Sequence, residues 1–400
     1  MKLNVVWLGD LGFPFGVTSV VQKTLLVCKG LTQSDVNMTV INRFGLHDPD
    51  AGLNLKTEGT YEKINYIHAS GSPYRPNNII VRNILKNLGL INEIYILYKL
   101  RKSRKCNAAI LHTDKFQSIL FYRIISKLLD FPLVMAYVEL YSSISTRHGI
   151  RHKINGYLYE KYGFYLLDGM MPISDYLVNI VKSHSPQLPM LKVPMIADFD
   201  RFNEVERNTD EKYFLFCSGA DYFDVIIFVL KAFELLESSE EPRLYLVVTG
   251  QPSQMSRLDK EIAKNKKNNL IKLYSGISYA QLTNLYANAC GLLIPLQPTI
   301  QDTARFPHKL GEYLASGNPV VTTNYGEVAK HFKDEESALM AQSYDIGEFA
   351  HKMEYIFLNP KKAKEIGQKG KVFGLKNFDY NIYGSKIKEF INSIIMQKAQ

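Results

Sequence analysis

Four hundred residues suit two domains of about 200 residues each better than one core. The balance, 46% hydrophobic and 22% charged, is that of a soluble globular protein, and no apolar run approaches the ~20 residues that span a bilayer as a helix. Cys28, Cys106, Cys217 and Cys290 are scattered, with no C-x-x-C pair; this argues against a zinc site or a disulfide framework and fits a reduced cytoplasm. The net charge of +9 is lopsided: residues 1–200 carry 23 Lys+Arg against 15 Asp+Glu, so +8, and residues 201–400 carry 25 against 24, so +1. A basic first half implies a polyanionic partner. With no nucleic-acid motif in the chain, an anionic membrane surface or a phosphorylated lipid is the partner expected.

In chain order, the apolar start Leu3–Leu8 is too short for a signal peptide and predicts a first strand, running into the loop Gly9–Gly16. A helix is expected from about Val17 to Leu31, then a strand Asn37–Asn42, an irregular polar stretch over 43–78 and a helical region from Asn78 to Lys105. Strand Ala108–His112, helix Phe116–Leu129 and strand Leu133–Val138 continue the alternation. The second half restarts it with strand Tyr213–Cys217, helix Tyr222–Leu236 and strands Leu244–Thr249 and Ile271–Tyr274. Helix Tyr279–Asn288, strand Gly291–Pro295 and a closing helix Tyr380–Met396 complete it. This βαβ rhythm predicts parallel sheets with functional groups at the C-terminal ends of the strands.

The most informative segment is Phe306–Thr322, which reads as a short helix, a stop and a buried strand. Glu312 is its one carboxylate, among the inward apolar positions Leu310, Tyr313 and Leu314. Gly317 stands where a helix C-cap belongs, and Asn318-Pro319 prevents continuation. Its pattern, F-P-x-K-L-x-E-Y-x-A-x-G-x-P-V-V, resembles the donor-site signature of the retaining family-4 glycosyltransferases. That resemblance implies an α/β GT-B fold: two Rossmann-like domains with parallel sheets facing an interdomain cleft. Residues 193–202 resemble the family linker V-P-N-G-V-D-x-x-x-F through Pro194, Asp198 and Phe202, with Met195-Ile196 replacing Asn-Gly. The expected division is an acceptor-binding domain, 1–195, a nucleotide-sugar-binding domain, 196–380, and a helix, 381–400, crossing back to the first.

By the same resemblance, Glu312 accepts hydrogen bonds from the ribose hydroxyls of a nucleotide sugar, a task that suits a carboxylate's several lone pairs. The sugar-contacting glutamate that many members carry earlier is Ala304 here, as is common in the F-P-x-K subgroup. Arg305, His308 and Lys309 are expected at a helix N-terminus, with Arg305 and Lys309 on one face, where they would attract a diphosphate. The family's G-R-x-x-x-x-K-G loop has lost its cations, with Ala220 after Gly219 and Asp224 near the lysine's place. Gly219, Gly250 and Gly276 end strands where a nucleotide could approach the backbone.

On the acceptor side, Gly12–Val17 resembles the family's P-x-x-G-G-[IV] loop. Phe15 and Gly16 are its candidate contacts, although a tight βα turn would also explain the glycine. Glu139 and His112, at the ends of strands, are the candidates for the residue that holds the sugar in retaining members. His112 could equally be structural, and Ser174 reads as a helix cap. In the run from Ile94 to Lys105, aromatic and aliphatic residues lead into Lys99, Arg101, Lys102, Arg104 and Lys105. This is the composition of a helix lying on anionic lipid, or of an ordinary domain helix with a solvated basic end.

The resulting expectation is a hexosyltransferase that moves a sugar from a UDP- or GDP-sugar to a glycan or lipid-linked acceptor, with retention, in cell-surface polysaccharide assembly. It would be cytoplasmic or peripheral on the inner face of the membrane, with no metal or other cofactor and no nucleic-acid partner. The alternatives are a non-catalytic nucleotide-sugar-binding or assembly protein on the same fold, and a GT-B nucleotide-sugar epimerase.

Overall fold

The computed structural model describes residues 2–9, 11–16, 18–48, 54–144, 149–207, 211–237 and 241–399. The chain divides into two compact units, residues 1–196 with 380–400, and residues 197–379.

The first unit begins with β1 (Leu3–Leu8), α1 (Ser19–Gln33), β2 (Val36–Asn42), β3 (Glu58–Tyr61), β4 (Ile64–His68) and α2 (Ile79–Lys102). It continues through β5 (Ala108–Leu111), α3 (Phe116–Leu128), β6 (Leu133–Tyr137), α4 (Ile150–Leu158), β7 (Gly169–Pro172) and α5 (Asp175–His184). Its sheet has the order β3-β4-β2-β1-β5-β6-β7, parallel except for the β3–β4 pair. Five of the six residues of β1 are buried, as a central parallel strand covered on both faces requires. Thr18 caps α1 and Ser174 caps α5 through their hydroxyls. Val17, the expected helix start, lies outside the described residues.

The stretch 43–78 is not wholly irregular, because β3 and β4 form a hairpin within it. The two residues between them, Glu62 and Lys63, both have positive φ (46° and 66°). That turn geometry is usually signalled by Asn or Gly, and neither is present.

The second unit runs β8 (Tyr213–Gly219), α6 (Phe223–Glu234), β9 (Arg243–Thr249), α7 (Pro252–Lys264), β10 (Ile271–Tyr274), α8 (Tyr279–Asn288) and β11 (Gly291–Ile294). Then come α9 (Ile300–Ala304), α10 (His308–Ser316), β12 (Val320–Thr323), α11 (Gly326–His331), β13 (Leu339–Ala341), α12 (Ile346–Leu358) and α13 (Pro360–Phe378). Its six strands are all parallel, in the order β10-β9-β8-β11-β12-β13. Gly317 ends α10 at φ 75°, a left-handed conformation that glycine adopts without steric cost. Asn318 then bonds the carbonyls of Tyr286 and Ala287 (2.8 and 2.9 Å), which aims the chain into the buried β12.

The last helix, α14 (Tyr380–Ala399), belongs to the first unit. It buries Ile387, Ile391 and Ile394 in that unit's core. Tyr380 accepts a hydrogen bond from Gln33 (2.9 Å) and Lys388 donates to the Ser34 carbonyl (2.7 Å). Gly30 and Gly384 face one another so closely that a Cβ on Gly384 would strike the Gly30 carbonyl, and one on Gly30 would strike the Tyr380 carbonyl.

Candidate active site

The best-defined constellation in the second unit is built on α10. Lys309 Nζ donates to the Cys217 carbonyl (2.8 Å), so the amine sits near the C-terminal end of the central strand β8. Burial lowers the Lys309 pKa, against the opposing pull of Cys217 and Glu312. One turn on, Glu312 is 18% exposed. Burial raises its pKa, while Tyr279, Arg201 and Lys309 pull it down. Tyr279 donates its hydroxyl hydrogen bond to Glu312 Oε1, and Arg201 Nη1 stands 3.5 Å from the same oxygen. The Arg201 guanidinium also donates to the Tyr279 hydroxyl and lies 4.6 Å from the centre of its ring. Two donors on one oxygen orient the carboxyl group and favour its charged form.

Arg305 does not share a helix with Lys309. It follows α9, and Phe306-Pro307 separates it from α10, which begins at His308. Its guanidinium is also engaged within the unit: Nη2 lies 2.5 Å from Asp302, Nη1 donates to the Tyr222 hydroxyl (2.9 Å), and the group packs over the Tyr222 ring at 4.9 Å. The expected helical face carrying both cations is therefore replaced by a loop cation paired to Asp302. His308 is the half-buried first residue of α10.

Gly219 is the last residue of β8, Gly250 follows β9, and Gly276 lies two residues beyond β10 with φ 67°. At Gly219 an added Cβ would meet nothing nearer than Tyr222 Cδ2 at 3.9 Å, so open space lies against its backbone. At Gly250 it would strike the Cβ of Ala220. Asp221 accepts from Gln254 (2.6 Å), and Asp224 lies in the first turn of α6.

In the first unit, the loop before α1 is clamped by Asn42, whose side chain accepts from Phe13 N (3.1 Å) and donates to Phe13 O (2.9 Å). Phe15 is 38% exposed. A Cβ at Gly16 would lie 2.8 Å from Val21 Cγ2 and 3.2 Å from Leu11 O, so the loop's own packing calls for glycine there. His112 directly follows β5, and its amide donates to Leu8 O of β1 (3.0 Å). Its pKa is held down to about 4, first by burial and then by the charge of Lys23, against Asp114 and a backbone hydrogen bond to Ala136. The ring is therefore neutral at pH 7 and can accept or donate a hydrogen bond, but it is no proton reservoir. Glu139 lies two residues beyond β6, which pairs with β5, so both candidates stand at the same end of the sheet.

The basic run divides. Lys99 and Lys102 lie over Tyr95 and Tyr98 (4.4 and 5.9 Å), and Arg104 and Lys105 are exposed. Arg101 is not free to face a lipid: it donates to the carbonyls of Leu129 (2.9 Å) and Cys106 (3.2 Å) and approaches Asp130, tying α2 to the end of α3. Only Gly89, Glu93 and Leu97 of α2 are buried. Glu93 is held by Arg43 and by the Tyr122 hydroxyl, each at 2.7 Å. Ile80, Ile84, Leu88, Ile91, Tyr95 and Tyr98, a single stripe along the helix, are all exposed by 46% or more.

Three residues at these sites were not singled out in the sequence: Arg201, Tyr279 and Lys23. A basic residue inside the linker was the only hint of the first, and the other two gave none.

Residues 198–373, most of the second unit, match the family described as "Glycosyl transferases group 1". A comparison with curated protein sequences finds no match. Among solved structures, sucrose-phosphate synthase from Thermosynechococcus elongatus is 14% identical, with 99% of this chain and 100% of that one covered at a TM-score of 0.76. Anabaena HepE, solved with UDP and glucose, is 12% identical over 98% of this chain and 100% of that one (TM-score 0.69). WaaG, a glycosyltransferase of lipopolysaccharide biosynthesis, is 14% identical over 97% and 99% (TM-score 0.65). The chain therefore has the two-domain α/β fold of the GT-B glycosyltransferases, and residues 198–373 of its second unit are similar to the group 1 glycosyltransferases.

Proposed function

We propose that the protein is a retaining hexosyltransferase, taking its sugar from a UDP- or GDP-sugar bound by the second unit and passing it to a glycan or lipid-linked acceptor bound by the first. The observation that carries this reading is α10 itself. Within the family-matched segment it presents a pre-oriented carboxylate, Glu312, one turn from a cation, Lys309, that reaches the end of β8. A carboxylate with fixed orientation suits a ribose diol, and an ammonium at a strand end suits a diphosphate. The open backbone at Gly219 gives a nucleotide room to approach. HepE, solved with UDP and glucose, supports the choice of donor. His112 and Glu139 are the proposed sugar-holding groups of the first unit, with Phe15 and Gly16 in the neighbouring loop.

The exposed apolar stripe of α2, ending in tyrosines covered by Lys99 and Lys102, supports a peripheral seat on an anionic membrane and hence a lipid-linked acceptor. The cytoplasmic face and a role in cell-surface polysaccharide assembly belong to the same proposal.

The test is a panel of UDP- and GDP-sugars screened by thermal shift, since a ligand that binds only the folded state raises its stability. One nucleotide sugar is expected to stabilise the protein, with affinity falling about 10- to 100-fold in Glu312→Ala, the scale of a lost charged hydrogen bond. Undiminished binding in Glu312→Ala and Lys309→Ala would remove the site assignment.

A second reading, a non-catalytic nucleotide-sugar binder, draws on Ala220 and Asp224 in the cation loop and on the pairing of Arg305 with Asp302. It predicts donor binding with no sugar transfer to any acceptor.

A further inference from the structure

We propose that a cavity in the first unit, between the start of α2 and the loops that follow β2 and β4, binds a phosphomonoester group. The cavity has a volume of about 120 Å³ and is lined by Arg75, Arg82 and Lys86, with Phe44, Leu46 and Leu85 among its apolar walls. No acidic residue lines it, and among the described residues none of the three cations has an ion pair. Lys86 Nζ stands 5.2 Å from the centre of the Phe44 ring, a contact that places the ammonium without neutralising it. The walls are held by the fold itself. Backbone hydrogen bonds from His47 N to Pro73 O (3.2 Å) and from Arg75 N to His47 O (2.8 Å) join the two loops. Gly89 lies so close to the Arg43 carbonyl that a Cβ would strike it, which sets α2 directly on the segment after β2.

The charges decide what the cavity takes. Arg82 and Lys86 are one turn apart, on the side of α2 that further along carries its buried residues, Gly89, Glu93 and Leu97. There the carboxylate of Glu93 is matched by Arg43 at 2.7 Å. At the start of the helix the same side carries two cations with nothing to match them, and Arg75 adds a third from the loop. Like charges gathered around one cavity repel, a cost to the empty fold that a bound anion removes. Two guanidinium forks and an ammonium offer donors to three or more oxygens. A phosphomonoester, with three terminal oxygens and a charge of about −1.5 to −2 at pH 7, matches that set. A carboxylate, with two oxygens and one charge, leaves a cation unanswered. The site is distinct from the Gly12–Gly16 loop, which follows β1. Leu46 in its wall nevertheless lies beside Gly12, so the cavity adjoins the loop proposed to meet the acceptor.

The phosphoryl group belongs either to the acceptor or to a lipid headgroup of the membrane surface; only the first choice rests on the glycosyltransferase reading. The test compares the full-length protein with Arg75→Gln/Arg82→Gln and with Lys56→Gln/Lys127→Gln. The second pair removes the same two charges from exposed positions elsewhere in the unit. By calorimetry, inorganic phosphate and glycerol 3-phosphate are expected to bind the native protein and the control pair alike, and the cavity pair at least tenfold more weakly. Acetate is expected to bind the native protein at least tenfold more weakly than phosphate. Without ligand the cavity pair should melt no lower than the native protein, because it has lost only mutual repulsion. If a headgroup carries the phosphoryl group, the cavity pair also loses co-sedimentation with vesicles of phosphatidylcholine and phosphatidic acid. If the acceptor carries it, sedimentation is unchanged while farnesyl phosphate binds the cavity pair more weakly. Equal phosphate affinity in all three proteins, absence of binding included, or an equal loss in both pairs would overturn the proposal. Intact binding of a nucleotide sugar in that case would leave the donor site of the second unit standing.

Discussion

Glu312 owes its orientation to residues that its own helix does not supply. Tyr279 comes from the start of α8 and Arg201 from the segment that opens the second unit, and both act on Oε1. Tyr279→Phe keeps the ring under the Arg201 guanidinium but removes the hydroxyl that donates to the carboxylate. Without that donor the already raised Glu312 pKa rises further, and a larger share of the group is neutral near pH 6. Nucleoside-diphosphate affinity is expected to fall about 5- to 10-fold, the worth of one hydrogen bond, and by more at pH 6 than at pH 8. Calorimetric titration at the two pH values checks this; a loss independent of pH would mean that the hydroxyl acts through packing alone. Lys309 and Glu312 were legible in the sequence because their pattern is local, one turn apart on one helix. Arg201, 111 positions before Glu312, was not. Nor was the pairing of Arg305, where the break at Phe306-Pro307 changes which residues share a face.

At the scale of elements, most apolar strands and even the edge strand β10 were readable, whereas the β3–β4 hairpin was not. β3 exposes alternate residues, and its hairpin turns through two charged residues, so neither periodicity nor turn chemistry marked it. The α7 helix, with a single buried residue, Leu258, was likewise invisible as a core-facing element. In α2 the pattern was visible but its direction was not. An apolar stripe ordinarily faces a core, whereas here Gly89, Glu93 and Leu97 take the inward side. Burying an isoleucine from water is worth roughly 1.5–3 kcal/mol, so a row of them left in solvent points to a non-aqueous partner. Replacing Ile84 and Ile91 together by glutamate removes two members of the stripe and adds two charges that repel anionic lipid, while leaving the Arg43–Glu93–Tyr122 anchor untouched. Co-sedimentation with anionic vesicles is expected to fall at least tenfold at an unchanged melting temperature. Equal sedimentation of the double variant would leave the stripe without a membrane role.

For the whole molecule, the +8 balance of residues 1–200 against +1 for residues 201–400 means that salt acts mainly on the first half of the chain, nearly all of which lies in the first unit. Lys23 adds a specific dependence on pH. In the unfolded chain its amine titrates near 10.5, whereas in the folded unit it titrates near 7 because burial penalises the charge. A lowered pKa in the folded state means that folding releases a proton between these values. The Lys23 contribution to stability is therefore fully present above pH 10.5 and lost as pH falls through 7. At 1.36 kcal/mol per pH unit the swing is at most about 4–5 kcal/mol. His112, on which the Lys23 charge acts, is already neutral across this window, and Asp114 is a further charged group acting on it. The two units have separate cores, so two melting transitions are expected, and only one should respond. In scanning calorimetry without ligand, Lys23→Met should raise the first unit's transition most at pH 7, with the advantage shrinking toward pH 10 and the second unit's transition unmoved. A constant difference across that range would mean that the amine is neutral or solvated throughout, and that the charge is not what the fold is holding out of water.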